Sequence, residues 1–533
     1  PPPPPLTPEV NTIEWTTPSH YDFDDVANAI CSDAWGNAYL TGSYLEDCQG
    51  DWEGGPCSSY HGSIDERNPF WNMFIQKVNA GGTIMWTVSS QGHGAEVGRS
   101  IAVDTMTGLQ PNIYVTGWFN GNNVTFGDTV LSATNGTWDI FVLKISWKGT
   151  VQWTVAGGGD GDDIGYGIAV DHTNGAPYLT GKHESTALLF GGQNITNWDI
   201  NPPISSDAFI IKMNAEGSTD WVISCGGNLG DYGTSVTVDD LGNAYFVGGF
   251  RSLEAKFGPI PVEGEVYTTV RVLRRISSEV SVFDSMYQVG DYLADTDVPG
   301  SGTWRWRYDT DVFVSKVNRQ GSVLWAQEAG GLDLDEARGI TLTKEQDGVF
   351  VVGHYSSQNA TFGNEYFKTT GRSDLFFMKL DVEGSIEWTI TGGGLFQDLG
   401  RAVTIDQYGD AYITGSFTKE ATFGDNILET EGSGDMDMFV AKVWQTGSMG
   451  FALPVGGPGV DKGYGIATSA PVSGGHSLFI TGVFDSPEVN ATFGRYKKSY
   501  MKSIDEDMYL MKILPKLVPP PPPPPPPPSP PPS

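Results

Sequence analysis

Apolar and polar residues alternate in short runs along this chain, and no long stretch follows a helical period. Runs such as Ala411-Tyr412-Ile413-Thr414-Gly415 and Val151-Gln152-Trp153-Thr154-Val155 have the two-residue period of strands with one buried face. Clusters of Gly, Asn and Asp separate the runs, which is the chemistry of tight turns. The pattern predicts many short antiparallel strands joined by hairpins.

The runs themselves recur. A Gly-Gly loop with an acidic residue is followed by G-x-x-I-x-x-D, a turn, and Y-x-T-G-x-F. After a variable stretch come F-G, then D-x-F-x-x-K, a Gly turn and a Trp strand. The clearest copy runs through Asp398, Gly400, Asp406, Gly409, Tyr412, Thr414, Gly415, Phe417, Phe423, Gly424, Asp437, Phe439 and Lys442. The D-x-F-x-x-K element recurs at Asp139-Phe141-Lys144, Asp207-Phe209-Lys212, Asp311-Phe313-Lys316, Asp374-Phe376-Lys379, Asp437-Phe439-Lys442 and Asp507-Tyr509-Lys512, with a degenerate first copy at Asn72-Phe74-Lys77. Four strand-like runs per copy, repeated about every 63 to 70 residues outside two interrupted copies, predict an all-β fold: a seven-bladed β-propeller of four-stranded antiparallel blades.

The Trp strand follows each of the first six copies, at Trp86, Trp153, Trp221, Trp325, Trp388 and Phe451, and is missing after Lys512. Val10 to Trp15, reading V-N-T-I-E-W, matches the G-S-I-E-W that ends at Trp388. The N-terminal strand is therefore expected to complete the last blade and leave the ring without an open sheet edge. On this reading residues 1–8 are one arm, 9–514 the propeller and 515–533 a second arm.

Asp33-Gly36-Asn37-Tyr39 and Asp239-Gly242-Asn243-Tyr245 carry a unit close to D-x-x-G-N-x-Y-x-T-G-x-F. In this unit the chain resembles the seven-bladed β-propeller repeat family of secreted proteins, over about residues 9 to 514. The resemblance implies fold, not activity, because propellers host unrelated functions. Two copies depart from the unit through insertions at about 43–70 and 259–310. The second holds Arg271, Arg274 and Arg275, then Trp304 and Trp306. Arg and Trp are favoured at protein contacts, so this insertion reads either as a surface excursion or as an interface.

Pro1 to Pro5 opens the chain, and the other end carries Pro519, Pro520, Pro521, Pro522, Pro523, Pro524, Pro525, Pro526, Pro527 and Pro528, then Ser529, Pro530, Pro531, Pro532 and Ser533. Such runs form stiff polyproline II rods, and the last fifteen residues would reach roughly 45 Å. The S-P-P-P-S pattern resembles hydroxyproline-rich extracellular-matrix glycoproteins of plants and green algae. That resemblance implies hydroxylation of these prolines, with sugars on hydroxyproline and serine.

Composition narrows the function. With 64 acidic against 31 basic residues the net charge is -33, which disfavours nucleic acid as a partner. No apolar run is long enough to span a membrane, so no membrane insertion is expected. Of four cysteines, Cys48 and Cys57 share one insertion and are expected to pair, while Cys31 and Cys225 stand apart. Sequons at Asn123, Asn135, Asn194, Asn359 and Asn490 predict N-glycosylation, three of them in one register just before F-G. Asp160, Asp162 and Asp163 form the densest acidic loop. Asp beside Gly usually caps its own turn, and an oxygen-rich loop of this kind could alternatively hold calcium; no other cofactor is implied.

The histidines show no triad or metal-ligand spacing, and neither a G-x-S-x-G elbow nor a Walker loop occurs. No enzyme is expected. The leading expectation is an extracellular structural subunit of a glycoprotein fibre, cell-wall element or flagellar-hair-like appendage. Its partners would be copies of itself and covalent glycans. The alternative is an adhesive carbohydrate- or protein-binding propeller on a proline-rich stalk, with a polysaccharide-acting enzyme ranked last.

Overall fold

The computed structural model describes residues 12–18, 25–45, 71–104, 110–199, 204–252, 254–258, 271–274, 310–431, 436–469, 476–484, 490–493, 496–499 and 507–514. Both ends, Cys48, Cys57, Arg275, Trp304 and Trp306 lie outside the described residues, as does most of either insertion.

The described strands build a propeller of four-stranded antiparallel blades. Six blades are each drawn from one continuous stretch of chain. In the fifth, for example, Asp335–Leu342, Gly348–Tyr355, Asp374–Asp381 and Ile386–Gly394 pair in sequence order. One further sheet is composite: Asp461–Thr468, Leu478–Phe484 and Asp507–Leu514 take their fourth strand from Thr12–Pro18 at the other end of the chain. That strand pairs from Thr12↔Leu514 to Pro18↔Tyr509, three residues beyond the Trp15 end expected from sequence.

The innermost strands touch in ring order. Asp25–Ser32 meets Gln91–Asp104, which meets Asp163–Asp171, then Asp231–Val238, Asp335–Leu342, Leu399–Ile405 and Asp461–Thr468, which returns to Asp25–Ser32. Apolar cores lie between neighbouring blades. Tyr178, Ile210 and Ile223 of the third pack on Val236, Phe246 and Phe313 of the fourth. The apolar faces predicted from alternation are thus buried blade against blade.

The repeated Lys and Trp explain themselves at these seams. Lys316 Nζ lies 4.7 Å from the ring centre of buried Tyr245 in its own blade and donates to the Val382 carbonyl of the next at 3.2 Å. Trp325 Nε1 donates to the same carbonyl at 2.8 Å. One blade earlier but one, Lys144 and Trp153 share the Ala215 carbonyl in the same way, at 2.7 and 3.1 Å. Lys512 reaches the Ala80 carbonyl at 2.9 Å and so ties the composite blade to the first.

Each such turn needs glycine. Asp381 Oδ1 accepts from the backbone N–H of Glu383 and Ser385, which folds the chain so that Gly384 sits at φ +90°. A Cβ there would lie 2.7 Å from the Trp325 ring. Left-handed strain and overpacking add, so Gly384→Ala is expected to cost about 2–4 kcal/mol in urea denaturation. An unchanged midpoint would reject this account of the seam.

The recurring F-G element, whose pairing was not read from sequence, belongs to a hairpin with its own task. It belongs to one repeat but pairs with the outermost strand of the blade before. Ala187–Phe190 joins Val151–Gly158, and Glu420–Phe423 joins Ile386–Gly394. These hairpins cover the outer sheet edges, which would otherwise offer unpaired N–H and C=O groups to other chains.

Candidate functional site

The innermost strands share one irregularity. Their pairing slips between Ala27/Ala29, Gly98/Ser100, Gly165/Gly167, Gly233/Ser235, Ala337/Gly339, Gly400/Ala402 and Gly463/Gly465. The residue skipped in each case is Asn28, Arg99, Tyr166, Thr234, Arg338, Arg401 or Tyr464. A bulge re-aims its side chain, and here all of these residues line one cavity of about 790 Å³ at one mouth of the central channel. The small residue before the bulge permits the approach of the neighbouring blade. A Cβ on Gly98 would stand 2.1 Å from Thr41 Oγ1, and one on Gly233 2.0 Å from Thr180 Oγ1.

In a protein of net charge -33, this cavity is cationic. Arg99, Lys182, Arg251, Arg338 and Arg401 line it against two carboxylates, Glu184 and Glu336. Lys182 pairs with Glu184 at 2.6 Å and Arg338 with Glu336 at 2.7 Å. Arg401 stacks on Tyr464, with its guanidinium carbon 4.8 Å from the ring centre, and Arg99 lies over Tyr166 at 5.8 Å. Burial, with Arg338 and Arg99 nearby, lowers the Arg401 pKa. His354 behind them is held well below its ordinary range by burial, then by Arg338 and Arg401, and is neutral. The opposite end of the channel is lined by a different part of the same strands. There Ile30, Ile101, Ile168 and Ile466 alternate with Thr341, Thr404, Asp240 and Lys344 around about 520 Å³, a mixed polar and apolar wall.

The residues expected from sequence to carry chemistry lie elsewhere. Asp160, Asp162 and Asp163 do not converge. Asp160 accepts from Thr186 N and Oγ1, Asp162 from Trp138 N, and buried Asp163 from Ser185 Oγ at 2.7 Å. Among the described residues no group of three or more His, Cys, Asp or Glu is placed to hold a metal. Each of these carboxylates accepts from a donor 22 to 26 residues away, which ties the loop to neighbouring segments. Asn123, Asn135, Asn194 and Asn359 are exposed, and Asn123, Asn194 and Asn490 sit on outer hairpins. Arg271 and Arg274 bound the strand that pairs with Glu254–Phe257. Cys31 and Cys225 are free thiols, with burial raising both pKa values.

The Asp of D-x-F has a role that sequence did not suggest. It meets, across the seam, the acidic residue that opens the next blade. Asp311 and Asp335 both face Gly330, and Asp374 and Asp398 both face Gly393, where a Cβ would strike them. Burial pushes Asp163, Asp231, Asp335 and Asp398 up to about 7 and Asp207 up to about 8, against lowering by Ser hydroxyl and backbone N–H donors.

The bulge ring was also missed, although one signal was present. Within the aligned segments that open each blade, the position after the small Gly or Ala varies among Asn, Arg, Tyr and Thr while its flanks stay small.

No family model matches the chain. It is 21% identical over 466 residues to an uncharacterised WD-repeat-containing protein of Acanthamoeba polyphaga mimivirus, a match covering 76% of this chain and 30% of that protein. The chain thus spans under a third of that relative's length. Among solved structures it is similar to Sqt1 from Chaetomium thermophilum, at 9% identity and TM-score 0.35, covering 94% of this chain and 98% of that one. It is also similar to the gluconolactonase XC5397 from Xanthomonas campestris, at 11% identity and TM-score 0.28, covering 76% and 90% respectively.

Proposed function

We propose that this protein is a non-catalytic interaction scaffold: a seven-bladed ring that serves as a structural subunit of an extracellular glycoprotein assembly. The observation that carries the reading is the register of the composite blade. Thr12 faces Leu514, so the first and last described residues of the chain lie side by side on one sheet. Proline-rich sequences attached at that point would, as the polyproline II rods their sequence predicts, form a joint for linking copies. The exposed sequon asparagines on the blade periphery fit a glycosylated, hydrated exterior. The likeness to a WD-repeat-containing protein supports a repeat scaffold.

The test is assembly. The glycosylated full chain, compared by electron microscopy and sedimentation with a chain lacking residues 515–533, is expected to form regular multimers that the shortened chain does not. Monodisperse single rings from both chains at high concentration would reject the assembly role.

A further inference from the structure

We propose that the arginine-lined mouth of the channel binds a small oxyanion, a molecule bearing carboxylate, sulfate or phosphate groups, held at Arg401 with Arg99 and Arg338 around it. This is independent of the assembly reading, because it concerns the inside of the ring.

Three observations carry it. First, the cations come from equivalent bulge positions on the second, fifth and sixth blades, while the other blades place Asn, Tyr or Thr there. Solvation alone gives no reason to gather guanidinium groups at the centre of a ring. Like charges converging in a confined cavity repel, and an anion between them removes that cost.

Second, the arginines are not equally satisfied. Arg338 is ion-paired with Glu336, whereas Arg401 lies on the face of Tyr464 and feels Glu336 without an ion pair, and its Nε–H is buried with no acceptor among the described residues. A buried donor without an acceptor is costly, more so when charged, so a ligand oxygen at this position supplies the missing acceptor. The guanidinium fork matches the paired oxygens of carboxylate, sulfate and phosphate.

Third, the cavity has the right size and walls. About 790 Å³ suits a small molecule. Arg99 and Arg401 each lie over a tyrosine ring, Tyr166 and Tyr464, a cation–π contact that restrains both guanidinium groups before any ligand arrives.

Isothermal titration of the full chain with citrate, sodium sulfate and inorganic phosphate, at matched ionic strength with sodium chloride as reference, tests the proposal. At least one probe is expected to bind with one-to-one stoichiometry. Arg401→Gln is expected to weaken it tenfold or more and Arg99→Gln several-fold, with no change for Lys148→Gln on an exposed outer turn. The preferred probe distinguishes carboxylate from sulfate or phosphate ligands. Absence of binding beyond chloride for all three probes overturns the proposal, as does undiminished binding by a folded Arg401→Gln or Arg99→Gln chain. Should either variant fail to fold, crystals of the parent soaked in selenate decide. The anomalous peak is expected at Arg401, and selenate found only elsewhere rejects the site.

Discussion

A chain lacking residues 1–18 is expected to unfold well below the full chain and to aggregate through its last blade. The strand Thr12–Pro18 makes six register pairs with Asp507–Leu514. At about 1 kcal/mol per net backbone hydrogen bond, their loss alone costs on the order of 5 kcal/mol. The larger consequence is topological. Without its fourth strand the composite blade exposes an open edge, a template for pairing with other chains. The join between the two ends of the ring would then rest on the core where Ala27, Ile30 and Phe74 meet Phe479 and Leu510, with the tie from Lys512 to the Ala80 carbonyl beside it. Thermal unfolding with light scattering checks this. A synthetic peptide of residues 1–18 added in trans is expected to restore both the transition temperature and solubility. A truncated chain that melts like its parent as a clear monomer would show that the ring does not depend on this strand.

The second large effect is a loss of stability as pH rises. Asp163, Asp231, Asp335 and Asp398 have folded pKa values raised by burial to about 7, and Asp207 to about 8, against an ordinary carboxylate value of 3.8. A raised carboxylate pKa means that the folded state holds a proton the unfolded chain releases. Its stabilisation is complete below about pH 4 and is lost progressively as pH climbs through 7 to 8. One group raised to about 7 corresponds to on the order of 4 kcal/mol, and several seams titrate together. The net charge of -33 acts in the same direction, because deprotonation adds to self-repulsion. Calorimetry is expected to show a transition temperature falling by on the order of 10 °C from pH 5 to pH 9. Asp207→Asn should remove part of that slope, whatever it does to the baseline, since an amide does not titrate in this range. A transition that is flat or rises with pH would mean that these carboxylates are ionised in the fold.

Much of the fold was legible because its determinants are local and repeated. Alternation marked the strands, and the Asp-x-x-Gly turns marked their ends. The missing Trp strand after Lys512 identified the segment near Trp15 that fills the gap. Lys144 and Trp153 could be aligned with Lys316 and Trp325 by eye, but not assigned to a shared seam carbonyl. That carbonyl belongs to the next repeat and comes into reach only when blades stack. The F-G element could be recognised as recurrent but not assigned a partner, for the same reason. Their pairing partner is the outer strand of the preceding repeat, not their own.

The candidate site was the least legible part. Arg99, Arg338 and Arg401 are separated by hundreds of residues or by whole blades and look like ordinary polar residues of half-buried strands. A one-residue slip in each innermost strand turns them into the channel, and closure of the ring makes them neighbours. Asp160, Asp162 and Asp163 are neighbours in sequence that part in the fold: successive residues of a turn and strand face different directions and find different partners.

The sequence by itself determined the strands, the turns, the repeat and the end-to-end strand exchange, since each follows from short-range periodicity and glycine chemistry. Only the tertiary structure decided that acidic residues meet in pairs at the seams and that a strongly acidic chain carries a cationic centre. Both depend on distances between blades, which are set by ring closure and bulge geometry and which no local pattern encodes.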